Sequence, residues 1–356
     1  MNEKREKKNY FDFPTGALVA LVAFVAMIVF QAIVVLLPIS DTATTWICVL
    51  GNQVVIVATC IVAAKQKKVD IIAVTGVKRP PKAYIFPFFI LIAAACVAAF
   101  GPLAGMIAHL LSRVGYTYQA NYAIPWDNAG LFTLAFLALV ILPPIGEETL
   151  FRGVLLSGAK RKAPLFAIIY TAISFALFHG NLNQLVHQFL LALVMGYLAV
   201  VTGGILASVV VHAMNNGLAL LLEYFHYHGM IDNKFYGYFE GDYFFVSWEI
   251  LVGIIASMML LIGLLVLVTY LLRREKEKEA GEFPESDDTF LREINAFLAY
   301  MSYTPKENEE RQTEQAEESA RAAQDSMYAT YRIVLPILYV LVLALVVILG
   351  VFVGNG

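Results

Sequence analysis

The sequence predicts an all-α polytopic membrane protein, with an eight-helix transmembrane core followed by a ninth transmembrane helix near the C-terminus. Of its 356 residues, 59% are hydrophobic and only 15% charged, against roughly 45–50% and 25% in a soluble domain. The apolar residues fall in blocks of about 20, the length that crosses a hydrocarbon core of about 30 Å. No alternating pattern suggests a barrel, and backbone groups in lipid must be satisfied within each segment, so the blocks are helices.

Nine spans are expected, at about 15–38, 45–64, 84–112, 129–158, 163–180, 184–201, 204–224, 246–272 and 333–353. The first follows MNEKREKKNYFDF and runs from Gly16 to Leu37. It is longer than the apolar stretch of about 7–15 residues in a cleaved signal peptide, so it is read as a retained span. The third contains a GxxxG pair, Gly101 and Gly105, a common packing motif. The fourth is interrupted by Pro143, Pro144 and Gly146, where a kink would expose backbone and widen a cavity.

Lys and Arg in the short loops set the orientation. They cluster at Lys4–Lys8, at Lys65–Lys82, at Lys160–Lys162 and at Arg273–Lys278. The intervening loops are poor in base. Nine alternating spans then leave the N-terminus in the cytoplasm and the C-terminus outside, as in a bacterial plasma membrane. Residues 1–272 form the expected eight-span core. Residues 273–332 read as a charged cytoplasmic linker in which acid outnumbers base, with a protein partner as its functional alternative to a solvated tail. Residues 333–356 form the ninth span and a short tail.

Composition gives no support to nucleic-acid binding. Cys48, Cys60 and Cys96 lie inside apolar stretches without zinc-ligand spacing, and read as small core residues. His109 and His187 fall near outer span ends and read as surface or snorkelling groups. His226 and His228 read as interfacial residues in an aromatic-rich outer stretch.

Ionisable groups in mid-membrane cost roughly 2.5–3.5 kcal/mol on insertion scales and point to function. Three spans carry them: LPPIGEETLFRG with Glu147, Glu148 and Arg152, ISFALFHG with His179, and ASVVVHAMNNG with His212, Asn215 and Asn216. At 1.5 Å per residue, Glu147, His179, His212 and Asn216 lie about 20, 24, 13 and 19 Å into their spans, so all fall in the membrane interior. His212 and Asn216 share a helix face, as do Phe175 and His179, and Glu148 and Arg152. Glu147 points about 100° away from Glu148. Such a set suits water activation by a carboxylate and an imidazole, with donors from another helix for an oxyanion. Glu147, His179 and His212 are also the candidate ligands of a zinc ion, although no HExxH is present.

The order EETLFR, FALFH, HAMNN matches EExxxR, FxxxH and HxxxN, and over about 129–224 the chain resembles the CPBP family. These are CAAX-protease-and-bacteriocin-processing membrane proteins, also called Abi. The resemblance implies an intramembrane peptidase of the type that trims prenylated CAAX proteins, with a hydrophobic or prenylated peptide as substrate. It implies that Glu147 and His179 activate water, that His212 and Asn216 form the oxyanion hole, and that Glu148 and Arg152 complete the first motif. Both zinc-dependent and metal-free mechanisms are described for the family. Two other readings remain open: a non-catalytic scaffold or bacteriocin-immunity protein, and a proton-coupled transporter, since buried Glu and His also serve proton relays.

Overall fold

Seven long apolar helices dominate the structure, a computed structural model that describes residues 10–116, 124–159, 164–240, 247–280 and 334–345. In chain order the helices are α1 (Phe13–Val35), α2 (Asp41–Lys67), α3 (Ile71–Thr75), α4 (Phe86–Arg113), α5 (Ala129–Phe136), α6 (Leu142–Glu148), α7 (Leu156–Ala159), α8 (Pro164–Phe178), α9 (Leu182–Thr202), α10 (Leu206–Tyr227), α11 (Asn233–Glu240) and α12 (Trp248–Ala280). A last one, α13, spans Val334–Leu345. There are no strands among the described residues.

Long enough and apolar enough to cross a membrane are α1, α2, α4 with the turn before it, the run Ala129–Ala159 that joins α5 to α7, α9, α10 and α12 up to Lys276. The fifth and ninth expected spans coincide with α8 and α13, which are shorter apolar helices. Among the described residues, seven helices are thus long and apolar enough to cross a membrane. The short α8 ends because Gly180, with φ +63°, turns the chain immediately after His179, a conformation that glycine adopts without steric cost. Of the 273–332 segment, α12 continues through Ala280. The rest of that segment, the basic clusters at Lys4–Lys8 and Lys160–Lys162, and the end of the ninth span lie outside the described residues.

Local sequence explains the ends of the helices. Asp12 caps α1 by accepting from Thr15 N, with Pro14 in the first turn, and Ser40 caps α2 by accepting from Ala43 N. Both satisfy amides that a helix start leaves bare. Large apolar side chains such as Val22, Val29 and Ile33 of α1 and Met259 and Ile262 of α12 are exposed, as a lipid-facing surface requires. The interior core gathers Ile56, Ile92, Cys96, Leu150, Phe151, Phe175, Leu191, Met195 and Val211. Cys60 and Cys96 are buried and free, in keeping with their reading as core residues, whereas Cys48 is free and only half-buried.

Within this bundle α4 packs against α9, α10 and α12, α8 lies against α9, and α2 lies against α6. Close approach is allowed where side chains are absent. A Cβ on Gly158 would stand 2.2 Å from the carbonyl oxygen of Phe11, so the start of α1 rests directly on α7. Pro102 breaks the ladder of α4, since proline has no N–H for the carbonyl four residues back. That carbonyl belongs to Ala98, and the Tyr238 hydroxyl of α11 donates to it at 3.1 Å. The short helix α11 is thereby fastened to α4 beside Pro102. At the other end of the chain, Tyr170 of α8 donates to the carbonyl of Pro336 at 2.9 Å. Tyr339 and Leu343 of α13 are fully buried.

Candidate active site

The fourth expected span carries the site because its helix is irregular. Two π-helical stretches, Leu137–Ile141 and Thr149–Leu155, flank α6. Wide turns of this kind recur at functional positions in helices. Pro143 and Pro144 open α6, and Glu147 and Glu148 close it.

The two carboxylates have different surroundings. Glu148 is completely buried, and its Oε1 accepts from Arg152 Nη1 at 2.7 Å and from His212 Nδ1 at 3.0 Å. Arg152 also donates from Nη2 to the carbonyl of Ala192 at 3.2 Å, and its guanidinium carbon sits 4.7 Å from the centre of the Phe175 ring. A buried charge pair of this sort is held by mutual neutralisation, and here Glu148 Oε2 and Arg152 Nε have no hydrogen-bond partner. Glu147 has no such cation. Gln53 of α2 donates from Nε2 to its Oε1 at 3.4 Å. Its Oε2 is buried without a hydrogen-bond partner, and faces His179 Nε2 at 4.0 Å and His212 Nε2 at 3.9 Å.

Both imidazoles are oriented by their other nitrogen. His179 Nδ1 lies 2.8 Å from the carbonyl of Phe175, one turn back along α8. A carbonyl only accepts, so Nδ1 carries the proton and Nε2 of the neutral ring is the acceptor. The Glu148 carboxylate fixes His212 in the same tautomer, with Nε2 again turned to Glu147. Phe175 holds the rings from below, edge to face with His179 at 4.7 Å and with His212 at 5.6 Å. Three acceptor atoms therefore converge where the structure supplies no donor between them. One water donating to two of them would span gaps of this size.

The sequence candidates meet in part. Glu147, Glu148, Arg152, His179 and His212 form one cluster. Asn216 adjoins it, but its Nδ2 donates to the carbonyl of Leu139 at 3.2 Å. With His212 protonated on Nδ1, a second proton on Nε2 is needed before that ring can donate to an oxyanion.

Zinc does not fit this donor set as it stands. No group of three or more His, Cys, Asp or Glu among the described residues is arranged to hold a metal. The gaps of 4.0 and 3.9 Å exceed the roughly 3.3 Å between two atoms bound at about 2.0–2.1 Å to one tetrahedral ion.

Two neighbours were not expected. Gln53 follows Asn52 in a largely apolar span, with no spacing signal to single it out. His187 was expected at an outer span end. Instead its ring lies edge-on to Phe100 at 6.3 Å and against Asn215, within electrostatic reach of His179 and His212. The first turns of α9 enter the bundle rather than leave it, so Asn183 and His187, one turn apart, share an inward face. His226 and His228 lie at the C-terminal end of α10. There His226 stacks on Tyr236 with ring centres 3.9 Å apart and bonds Asn233 Oδ1 at 3.0 Å.

Comparison with known families matches residues 129–218 to the family described as type II CAAX prenyl endopeptidase, Rce1-like. Comparison with curated proteins and with solved structures gives no match. The matched stretch begins at α5, ends in α10 and contains every charged residue of the buried cluster. The chain thus carries, over residues 129–218, an Rce1-like type II CAAX prenyl endopeptidase domain.

Proposed function

We propose that the protein is an intramembrane endopeptidase that hydrolyses a peptide bond of a membrane-associated, hydrophobic or prenylated peptide. The observation that carries this reading is the asymmetry of the carboxylates. Glu148 is neutralised by Arg152 and serves to orient His212, whereas Glu147 Oε2 is buried, unpartnered and aimed at two imidazole nitrogens.

In this reading Glu147 and His179 hold the attacking water between Oε2 and Nε2. Glu147 takes its proton as the water oxygen adds to the scissile carbonyl carbon. That proton passes to the departing amine nitrogen as the C–N bond breaks. The developing oxyanion meets the second amide proton of Asn216, with His212 beside it. The low dielectric around these groups strengthens each interaction. Membership of the CAAX endopeptidase family supports a peptide substrate, and the seven long apolar helices support attack within the membrane.

Purified wild type and the Glu147→Gln and His179→Ala variants would be incubated in detergent with hydrophobic and prenylated peptides, and the products weighed by mass spectrometry. Cleavage by the wild type alone, with the variants folded, is the expected result. Equal cleavage by Glu147→Gln would overturn the mechanism. Proton or solute flux through liposomes that depends on Glu147, without cleavage, would replace the peptidase by a transporter.

A further inference from the structure

We infer that Gln53, on α2 and outside the family-matched residues, is a positioning residue that selects which oxygen of Glu147 acts as base. The inference rests on the peptidase reading of the same site. A carboxylate has two equivalent oxygens, and either could rotate toward the imidazoles. Here they are made inequivalent: Oε1 accepts from Gln53 Nε2 at 3.4 Å, and Oε2 is left to face His179 and His212. Gln53 is the one hydrogen-bond donor to Glu147 among the described residues. Arg152 and His212 direct their short hydrogen bonds to Glu148.

The approach of Gln53 depends on the residue beside Glu147. A Cβ at position 146 would stand 2.6 Å from Gln53 Oε1 and 3.7 Å from the Gln53 carbonyl oxygen. Glycine at 146 therefore leaves the Gln53 amide room beside the carboxylate, where a Cβ would push the amide aside while the α2 backbone stays at ordinary contact distance. The contact joins residues distant in sequence, between two helices that pack along this face. An amide is suited to the task because it binds the carboxylate without adding a charge. A lysine or arginine in the same place would neutralise Glu147 as Arg152 neutralises Glu148, and would weaken it as a base.

The test combines kinetics with thermal unfolding in detergent. Gln53→Met keeps the length of the side chain and removes the donor. It is expected to lower kcat roughly 10–100-fold with KM within about twofold, because the base is misplaced while the peptide still binds. Gly146→Ala is expected to lower kcat similarly in the wild type, yet to have little further effect in a Gln53→Ala background, where its methyl group has room. The contact itself is read without substrate, from the unfolding temperatures of Gln53→Ala, Glu147→Ala and the double variant. The double variant is expected to lose less than the sum of the singles. Additive losses, or a Gln53→Met enzyme with wild-type kcat beside an inactive Glu147→Gln, would overturn the inference and leave the peptidase reading standing. No cleavage by the wild type, with thermal coupling intact, would instead overturn the peptidase reading, and the catalytic role of Gln53 with it.

Discussion

The side-chain amide of Asn216 donates to the carbonyl oxygen of Leu139 at 3.2 Å, and no backbone N–H of the same helix could take its place. The residues four and five positions on are Pro143 and Pro144, so neither an α-helical nor a π-helical turn has a donor to offer. Asn216 therefore closes a gap that the proline pair opens. Replacing it by Leu leaves a part-buried carbonyl bare, at a cost of about 1–3 kcal/mol. Thermal unfolding in detergent should show the loss, and Asn216→Asp, which removes the donor at nearly constant shape, should show it too. An Asn216→Leu protein as stable as wild type would mean that the carbonyl finds another partner.

Arg152 and Glu148 should behave as a unit. Arg152→Ala strands a fully buried carboxylate and is expected to destabilise by about 3–5 kcal/mol. The paired replacement Glu148→Gln with Arg152→Met removes both charges and should cost less than Arg152→Ala alone. Unfolding curves or membrane yield of the three proteins would decide the order.

Glu147 should show the opposite balance. Glu147→Gln is expected to lower the cleavage rate by about 100-fold or more while leaving the unfolding temperature unchanged or raised, because it discharges a buried carboxylate that has no cation of its own. A variant that is both inactive and markedly less stable would mark Glu147 as a structural residue.

Chelation supplies a further check. Because Glu147, His179 and His212 are spaced for a water rather than for a zinc ion, cleavage is expected to persist after dialysis against a strong chelator. Loss of activity that returns on adding zinc would show that the three side chains close around a metal.

The Tyr238 hydroxyl is expected to matter as the Asn216 amide does. Tyr238→Phe keeps the ring and leaves the Ala98 carbonyl bare beside Pro102. It should lower stability by about 1–3 kcal/mol and expose the loop around α11 to protease earlier than the rest of the chain.

Much of this site was legible in the sequence because charge is so costly in lipid that each ionisable group stands out. Glu147, Glu148, Arg152, His179 and His212 announce themselves in this way, and the structure gathers them. Gln53 and His187 were not legible for the converse reason. An amide in a membrane helix is cheap enough to be interhelical glue, and a histidine near a span end normally reaches for the interface. Only the packing of α2 on α6, and of the start of α9 on α4 and α10, turns them inward. The span count was legible to the same degree. Apolar runs mark the seven long helices found among the described residues, but their length alone could not reveal that Gly180 turns the chain just after α8.

The broken helix also has a consequence for how the chain is made. Glu148 and Arg152 lie one turn apart, so they neutralise each other as soon as their helix forms. Gln53 belongs to an earlier helix, already in place to receive Glu147. The Leu139 carbonyl has neither advantage, because Asn216 is synthesised later, and the segment Ala129–Ala159 is incomplete as a membrane helix until α10 follows it. A chain halted between these two segments would leave that carbonyl without its donor.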